Sequence, residues 1–155
     1  SNRDLFDELM NIINTNGIKP QHIRLELTES AIFDDFNMVI NNMEKFNKSG
    51  IKFYLDDFGT GYSNLERIIG CPFYTIKFDK SLLYKSIDNS AVSDIVSHLT
   101  SVFKKQGFVL LIEGVENDEQ ADYSINKGFD YIQGYKYAKP QPVIKLREYF
   151  NKATA

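Results

Sequence analysis

Asp56 and Asp57 stand side by side at the head of the stretch Asp-Asp-Phe-Gly-Thr-Gly-Tyr-Ser-Asn-Leu, residues 56–65. They follow Ile-Lys-Phe-Tyr-Leu over 51–55, which has the look of a strand. Two carboxylates at a strand end repel each other unless a cation neutralises them. Gly59 and Gly61 then permit a tight loop directly after the acids. An acidic pair can also do no more than cap a turn. What the rest of the chain brings to the same place decides between the two.

Five short runs are expected to be strands: 23–28, 52–56, 75–78, 108–113 and 130–133. Between them lie helical stripes. Leu5, Leu9, Ile12 and Ile13 form one, and Phe36, Val39, Ile40, Met43 and Phe46 a second. Val92, Ile95, Val96, Leu99, Val102 and Phe103 form a third. Gly17, Gly50 and Gly107 are placed to stop them. Asn117 with Gln120 resembles a capping box for a fourth helix, stopped at Gly128. Pro142 suits the first turn of a last helix carrying Val143, Leu146, Tyr149 and Phe150. The interior segment 84–90 reads as the most loop-like. Strands alternating with helices argue for a parallel sheet in one α/β domain spanning 1–155.

Side-chain parity sharpens this, because alternate residues on a strand face opposite sides. One side of each strand is apolar and suits a helix layer: Leu25 and Leu27, Phe53 and Leu55, Ile76 and Phe78, Leu110 and Ile112, Ile132. The other side ends in Glu26, Asp56, Lys77, Glu113 and Gln133. Those five polar residues are expected to converge at one end of the sheet, on its inner face if it curves as a barrel. Parallel α/β folds build their sites at that end. Asp57 joins them if the chain turns after Asp56, whereas on a continuing strand it faces away.

Glu26, Asp56, Glu113 and Asp57 are hard oxygen donors, suited to Mg²⁺ or Mn²⁺ rather than zinc. Four carboxylates can hold two cations roughly 3.5–4 Å apart, a spacing that clamps a phosphate and activates water. Lys77 can stabilise phosphate charge, or take a proton from that water if its pKa is depressed. It can also do nothing more than form a salt bridge to one of the acids. Gln133 is suited to hydrogen-bond a water at the cations. The reaction class implied is metal-assisted phosphodiester hydrolysis. Glu29 and Glu116 lie just beyond strands, where each can anchor a loop or be solvated. His22 and His98 lack a nucleophile nearby in the pattern, and Cys71, before Pro72, has no partner for nucleophilic work.

Composition excludes other classes. The chain has 155 residues, a formal net charge of −3 and 43% hydrophobic residues. That is an ordinary globular balance without a basic footprint for polymeric nucleic acid. Cys71 is the only cysteine, so neither an internal disulfide nor a cysteine-based metal site can form. No apolar run approaches the roughly 20 residues of a membrane span, so no membrane contact is expected and the cytoplasm is the simplest compartment.

Five motifs now stand in order: Glu26-Leu-Thr-Glu29-Ser30, Asp56-Asp-Phe-Gly-Thr-Gly-Tyr-Ser63, Lys77-Phe-Asp79, Glu113-Gly-Val-Glu116, and Gln133-Gly-Tyr135 with Lys139-Pro140. In this order they resemble the EAL-domain cyclic di-GMP phosphodiesterases, over nearly the whole chain. The resemblance implies a TIM-like barrel with one antiparallel strand, and hydrolysis of cyclic di-GMP to linear pGpG with Mg²⁺ or Mn²⁺. It implies that Glu26 and Asp56 bind a first metal, and that Asp56, Asp57 and Glu113 bind a second. It further implies that Lys77 contacts the attacking water and Gln133 the metal-bound waters. Glu29 is implied to hold the loop after Asp57, a loop that also serves dimerisation in the family.

The departures are specific. The Glu-Ala-Leu motif that names the family is missing, as is an asparagine motif expected upstream of Leu5, and both supply first-metal ligands. Five strands are expected here, whereas a closed barrel of this type needs eight. The chain therefore reads as an N-terminally truncated EAL domain with an incomplete first metal site and low intrinsic activity. Its open edges are expected to favour self-association, through strand pairing or the loop 57–63. A non-catalytic cyclic di-GMP receptor is the alternative function. A phosphoacceptor receiver domain fits the acidic pair and the lysine but not their order along the strands.

Overall fold

The computed structural model describes residues 5–32, 36–61 and 64–147. Among them, five parallel strands alternate with helices. The elements are α1 (Leu5–Thr15), β1 (Arg24–Thr28), α2 (Phe36–Lys48), β2 (Lys52–Phe58), α3 (Leu65–Gly70) and β3 (Thr75–Phe78). They continue with α4 (Lys80–Asp88), α5 (Ser90–Lys105), β4 (Val109–Ile112), α6 (Asp118–Asn126) and β5 (Tyr131–Ile132). Short 3₁₀ turns at Pro20–His22 and Glu29–Ile32 flank β1.

The strands lie side by side in chain order, β1-β2-β3-β4-β5, and every pairing is parallel. A receiver-type doubly wound sheet interleaves its first strand between later ones. The sequential order excludes that architecture and matches the successive βα units of a barrel wall.

The apolar side of the sheet carries the core. Leu55, Phe58, Ile76, Phe78, Leu110 and Ile112 are buried there with Met43, Leu83, Val96 and Phe103 from the helices. Phe58, Phe78 and Phe103 form edge-to-face pairs, with centroids 4.8 Å apart for Phe58–Phe78 and 5.3 Å for Phe58–Phe103. Phe129 adds another such pair with Phe78, at 5.0 Å. Such pairs add about 0.5–1.5 kcal/mol each beyond the area they bury.

The expected helices form, and α1, α2, α5 and α6 each end two residues before the glycine expected to stop them. The cap of α6 is half of the expected box. Asn117 accepts from the Gln120 N–H at 2.9 Å, but the Gln120 side chain accepts from Glu116 N–H rather than from its own cap residue. Val143 and Leu146 lie on a helical turn over 143–147, while Tyr149 and Phe150 lie outside the described residues.

Two helices were not anticipated. The segment 84–90 is not a loop: α4 runs through Asp88, and Asn89 immediately caps α5 by accepting from the Ala91 and Val92 N–H groups. Asp79 starts α4 by accepting from the Ser81 N–H at 2.8 Å, and Leu83 and Ser86 bury its inner side. The short α3 is capped in the same way by Asn64. Among the described residues, no helix is long and apolar enough to cross a membrane.

Candidate metal and phosphate site

The decisive local feature is a bulge in β2. Leu55 pairs with Ile76 and Phe58 with Phe78, so β2 spends three steps where β3 spends two. Leu55 and Phe58 are both buried in the core, which leaves Asp56 and Asp57 between them as the extra width. Asp57 takes a left-handed backbone, φ 56°, a conformation costly for a side chain other than glycine's and most accessible to Asp and Asn among the rest. Simple alternation sends Asp57 to the helix side of a continuing strand. The strand does continue, but the bulge and the turn at Asp57 restore it to the acidic side.

As a result, carboxylate oxygens of Asp56, Asp57 and Glu113 lie within 4.8 Å of one another. Glu113 sits one residue past β4 but keeps the ladder, its N–H donating to Phe78 O at 3.0 Å. Gln133 likewise sits one residue past β5 and donates to Ile112 O at 2.9 Å. The polar residues expected to converge therefore do so.

Lys77 is the hub. All of β3 is buried, and the lysine itself is only 7% exposed. Its Nζ lies 2.7 Å from Asp56 Oδ1, 2.9 Å from Glu113 Oε1 and 3.0 Å from Glu26 Oε1. Burial works to lower its pKa, but the hydrogen bonds to Asp56, Glu113 and Glu26 outweigh it and hold the ammonium well above the usual lysine range. In this arrangement Lys77 is a cation. A depressed pKa, the condition for a base role, is not met here, because three acceptors face the amine.

Glu26 reaches Lys77 but is not part of the acid trio. With it, four carboxylates cluster near one ammonium, three of them in contact with it, a formal surplus of three negative charges. Close-set, oxygen-only donors with excess negative charge fit a hard divalent cation such as Mg²⁺, Mn²⁺ or Ca²⁺. Glu29 is placed apart, buried at 6% exposure in the 3₁₀ turn after β1. Tyr62 and Ser63 of the expected dimerisation loop lie outside the described residues.

A cleft of about 430 Å³ opens beside the acids, lined by Asp57, Glu113, Gln133, Tyr84 and Tyr135 among others. Glycines let its walls close up. A Cβ on Gly114 would collide with the Lys80 side chain, and one on Gly134 with the backbone of Val115. Val115 N–H donates to Gln133 O at 3.1 Å and Lys136 N–H to Val115 O at 3.1 Å, so the loops after β4 and β5 are laced together.

Asp79, Lys80, Tyr84 and Tyr135 also line the cleft, and residue types and spacing assign them no role there. Asp79 and Tyr135 belong to the motifs Lys77-Phe-Asp79 and Gln133-Gly-Tyr135, whereas Tyr84 belongs to the segment 84–90 that reads as a loop. The Tyr84 hydroxyl donates to Gly114 O at 3.0 Å and lies 3.4 Å from Glu116 Oε1. Burial, then the Glu116 carboxylate, raises its pKa and keeps the phenol protonated. Burial pushes the Asp79 pKa up, but hydrogen bonds from the Ser81 side chain and from the Ser81 and Lys80 backbone bring it below the usual range. Neither His22 nor His98 lines the cleft; His98 Nδ1 contacts Asp94 O within its own helix at 2.7 Å.

Comparison with known proteins points to one family. The chain is 34% identical over 150 residues to the cyclic di-GMP phosphodiesterase PdeL of Escherichia coli K12, covering 94% of this chain and 41% of that protein. Across the first curated relatives it matches, the chain spans 17% to 41% of their length. Among solved structures, PaMucR phosphodiesterase in complex with c-di-GMP superposes with a TM-score of 0.85 at 27% identity, covering 94% of this chain and 59% of that one. The manganese and cyclic di-GMP complex of Klebsiella pneumoniae BlrP1 gives 0.80 at 25% identity, covering 87% and 34%. Residues 1–140 match the family described as EAL domain. The chain belongs to the EAL domain family.

Proposed function

We propose that the strand-end cleft binds cyclic di-GMP and hydrolyses one of its phosphodiester bonds to give linear pGpG. The observation that carries this is the β2 bulge, which sets Asp56 and Asp57 together against Glu113 and the buried cation of Lys77. Names of relatives and of solved complexes that pair EAL domains with this dinucleotide support it. In the reaction a P–O bond to a ribose 3′-oxygen breaks, the oxygen of water joins phosphorus, and a proton leaves on the 3′-oxygen.

Mg²⁺ or Mn²⁺ is the proposed ion; when bound, it supplies Lewis-acid polarisation of the phosphate and a nucleophile active at neutral pH. Asp56, Asp57 and Glu113 are the proposed holders of one ion, with Asp56 and Glu26 facing a second. Lys77 contributes fixed positive charge to the phosphate or to the oxygen that attacks it. Gln133, which lines the same cleft, orients that oxygen by hydrogen bonding. Glu29, buried in the turn after β1, holds the segment after Asp57 in place.

The chain acts, in this proposal, as the C-terminal part of an EAL domain whose further strands complete the barrel and the first metal position. Strand β1 has a partner on one side only among the described residues. An apolar groove of about 280 Å³ runs along it, lined by Leu25, Leu27, Phe53, Val39, Met43 and Phe46. On its own the chain is proposed to self-associate through that edge, and a monomer by light scattering at high concentration would exclude it. A cytoplasmic location fits the lone, buried Cys71 and the proposed substrate.

The test is cyclic di-GMP hydrolysis with Mn²⁺, comparing this chain with a form extended by about a hundred N-terminal residues towards a full barrel of roughly 250. Formation of pGpG by the extended form is the expected result. Binding without cleavage by both forms would replace the hydrolase with a receptor.

A further inference from the structure

Glu113 is held at more points than its carboxylate. Its N–H donates to Phe78 O at 3.0 Å, and its side chain meets Lys77 Nζ at 2.9 Å. Directly after it, Gly114 turns at φ 76° and packs so closely on Lys80 that no Cβ fits. The Gly114 carbonyl then receives the Tyr84 hydroxyl at 3.0 Å. Lys80 and Tyr84 lie one turn apart on α4, so they present the same side of that helix. Only Asp79, the cap residue of α4, separates Lys80 from β3, the strand that carries Lys77. One continuous piece of chain, 75–88, therefore carries both the lysine facing the Glu113 carboxylate and the clamp on the backbone behind it.

We propose that Tyr84 is a positioning residue for the metal site, its hydroxyl fixing the Gly114 carbonyl and thereby the placement of Glu113 against Asp56 and Asp57. The inference rests on the metal-site reading above. The backbone bond to Phe78 and the Tyr84 clamp do not use the carboxylate. They hold the end of β4 in one place whichever cation the carboxylate faces. Without the hydroxyl, Gly114 O loses its donor and the turn behind Glu113 gains freedom that cation binding must then remove.

The test is Mn²⁺ binding to the 155-residue chain, read as loss of the free-ion signal in electron paramagnetic resonance, with thermal midpoints measured in parallel. Asp57→Asn checks the site itself. Tyr123→Phe is the matched control: its hydroxyl does not line the cleft and lies 3.0 Å from Ser93 Oγ and 3.3 Å from Ser86 O, tying α6 to α5 and to the C-terminal half of α4. We expect Asp57→Asn to weaken binding at least tenfold and Tyr84→Phe to weaken it about three- to tenfold, the scale of one lost neutral hydrogen bond. Tyr123→Phe is expected to lower the thermal midpoint comparably and leave Mn²⁺ affinity unchanged. Unchanged affinity in Tyr84→Phe, with Asp57→Asn weakened, would overturn the positioning role and leave the site standing. Equal weakening by Tyr123→Phe would also overturn it, as the effect would then be global. If the wild-type chain binds no Mn²⁺, or Asp57→Asn binds as well as wild type, the site reading fails and this inference with it.

Discussion

Lys77 and Phe78 are neighbours on one strand, almost equally buried, and they do opposite things. Phe78 faces the helix layer, where Phe58, Phe103 and Phe129 pack edge-on around it. Lys77 faces the inner side, where three carboxylates surround its ammonium. The ring gains free energy simply by leaving water. The amine is penalised by the same desolvation and is held there by hydrogen bonds to charged acceptors. Burial is a source of stability on one face and a load on the other. A load of that kind is kept where it serves chemistry more readily than where it serves folding.

The contrast can be broken by substitution. Phe78→Ala should cost the most stability, about 3–5 kcal/mol in urea unfolding, since it opens a cavity inside an aromatic cluster. Lys77→Met, assayed in a barrel-complete form with Mn²⁺ present, should lower hydrolysis by about 10²–10³-fold. Its unfolding free energy under the same conditions should change by less than half as much as for Phe78→Ala. If Lys77→Met unfolds the chain as readily as Phe78→Ala, the lysine is a structural hub and the contrast collapses.

Asp57→Gly sharpens the comparison from the other side. Glycine relieves the left-handed backbone and one carboxylate of the trio, so without divalent cations the variant should be more stable by about 1 kcal/mol. Mn²⁺ affinity should fall at least tenfold in the same variant. A variant both less stable and unaltered in Mn²⁺ binding would show that the bulge serves the fold rather than the site.

The smallest effect concerns Cys71. Burial, which outweighs the opposing charge of Arg67, pushes its thiol up from 9.0 to about 11. A pKa raised in the folded state makes its contribution complete below the unfolded value. That contribution fades as pH rises from about 9 to 11. Alkylation by iodoacetamide in the folded chain should therefore stay slow at pH 8 and accelerate only as pH approaches 11. Fast modification at pH 8 would mean that the core around the thiol opens readily.

Much of this was legible from residue types. Alternation placed Glu26, Asp56, Lys77, Glu113 and Gln133 on one face, and their convergence follows from a parallel sheet with its strands in step. The bulge was not legible, because alternation presumes one residue per step and nothing in Leu-Asp-Asp-Phe marks an extra one. It shows only in the pairing with β3, where two residues of β2 share a step. Helix α4 was missed for a different reason. Its inner side mixes Leu83 with Ser86, whose hydroxyl turns back to Leu83 O at 2.7 Å and so satisfies itself without a partner from elsewhere. A polar residue that satisfies itself within its helix weakens the apolar stripe without weakening the helix.

The strictly sequential order of the sheet bears on how the chain is made. Paired residues on adjacent strands lie between 20 and 34 positions apart, and each strand from β2 onward finds its first neighbour in the one before it. During synthesis the earlier partner of each new strand has therefore already left the ribosome, and each βα unit can dock as it emerges. Strand β1, alone among the five, has no earlier partner among the described residues to receive it.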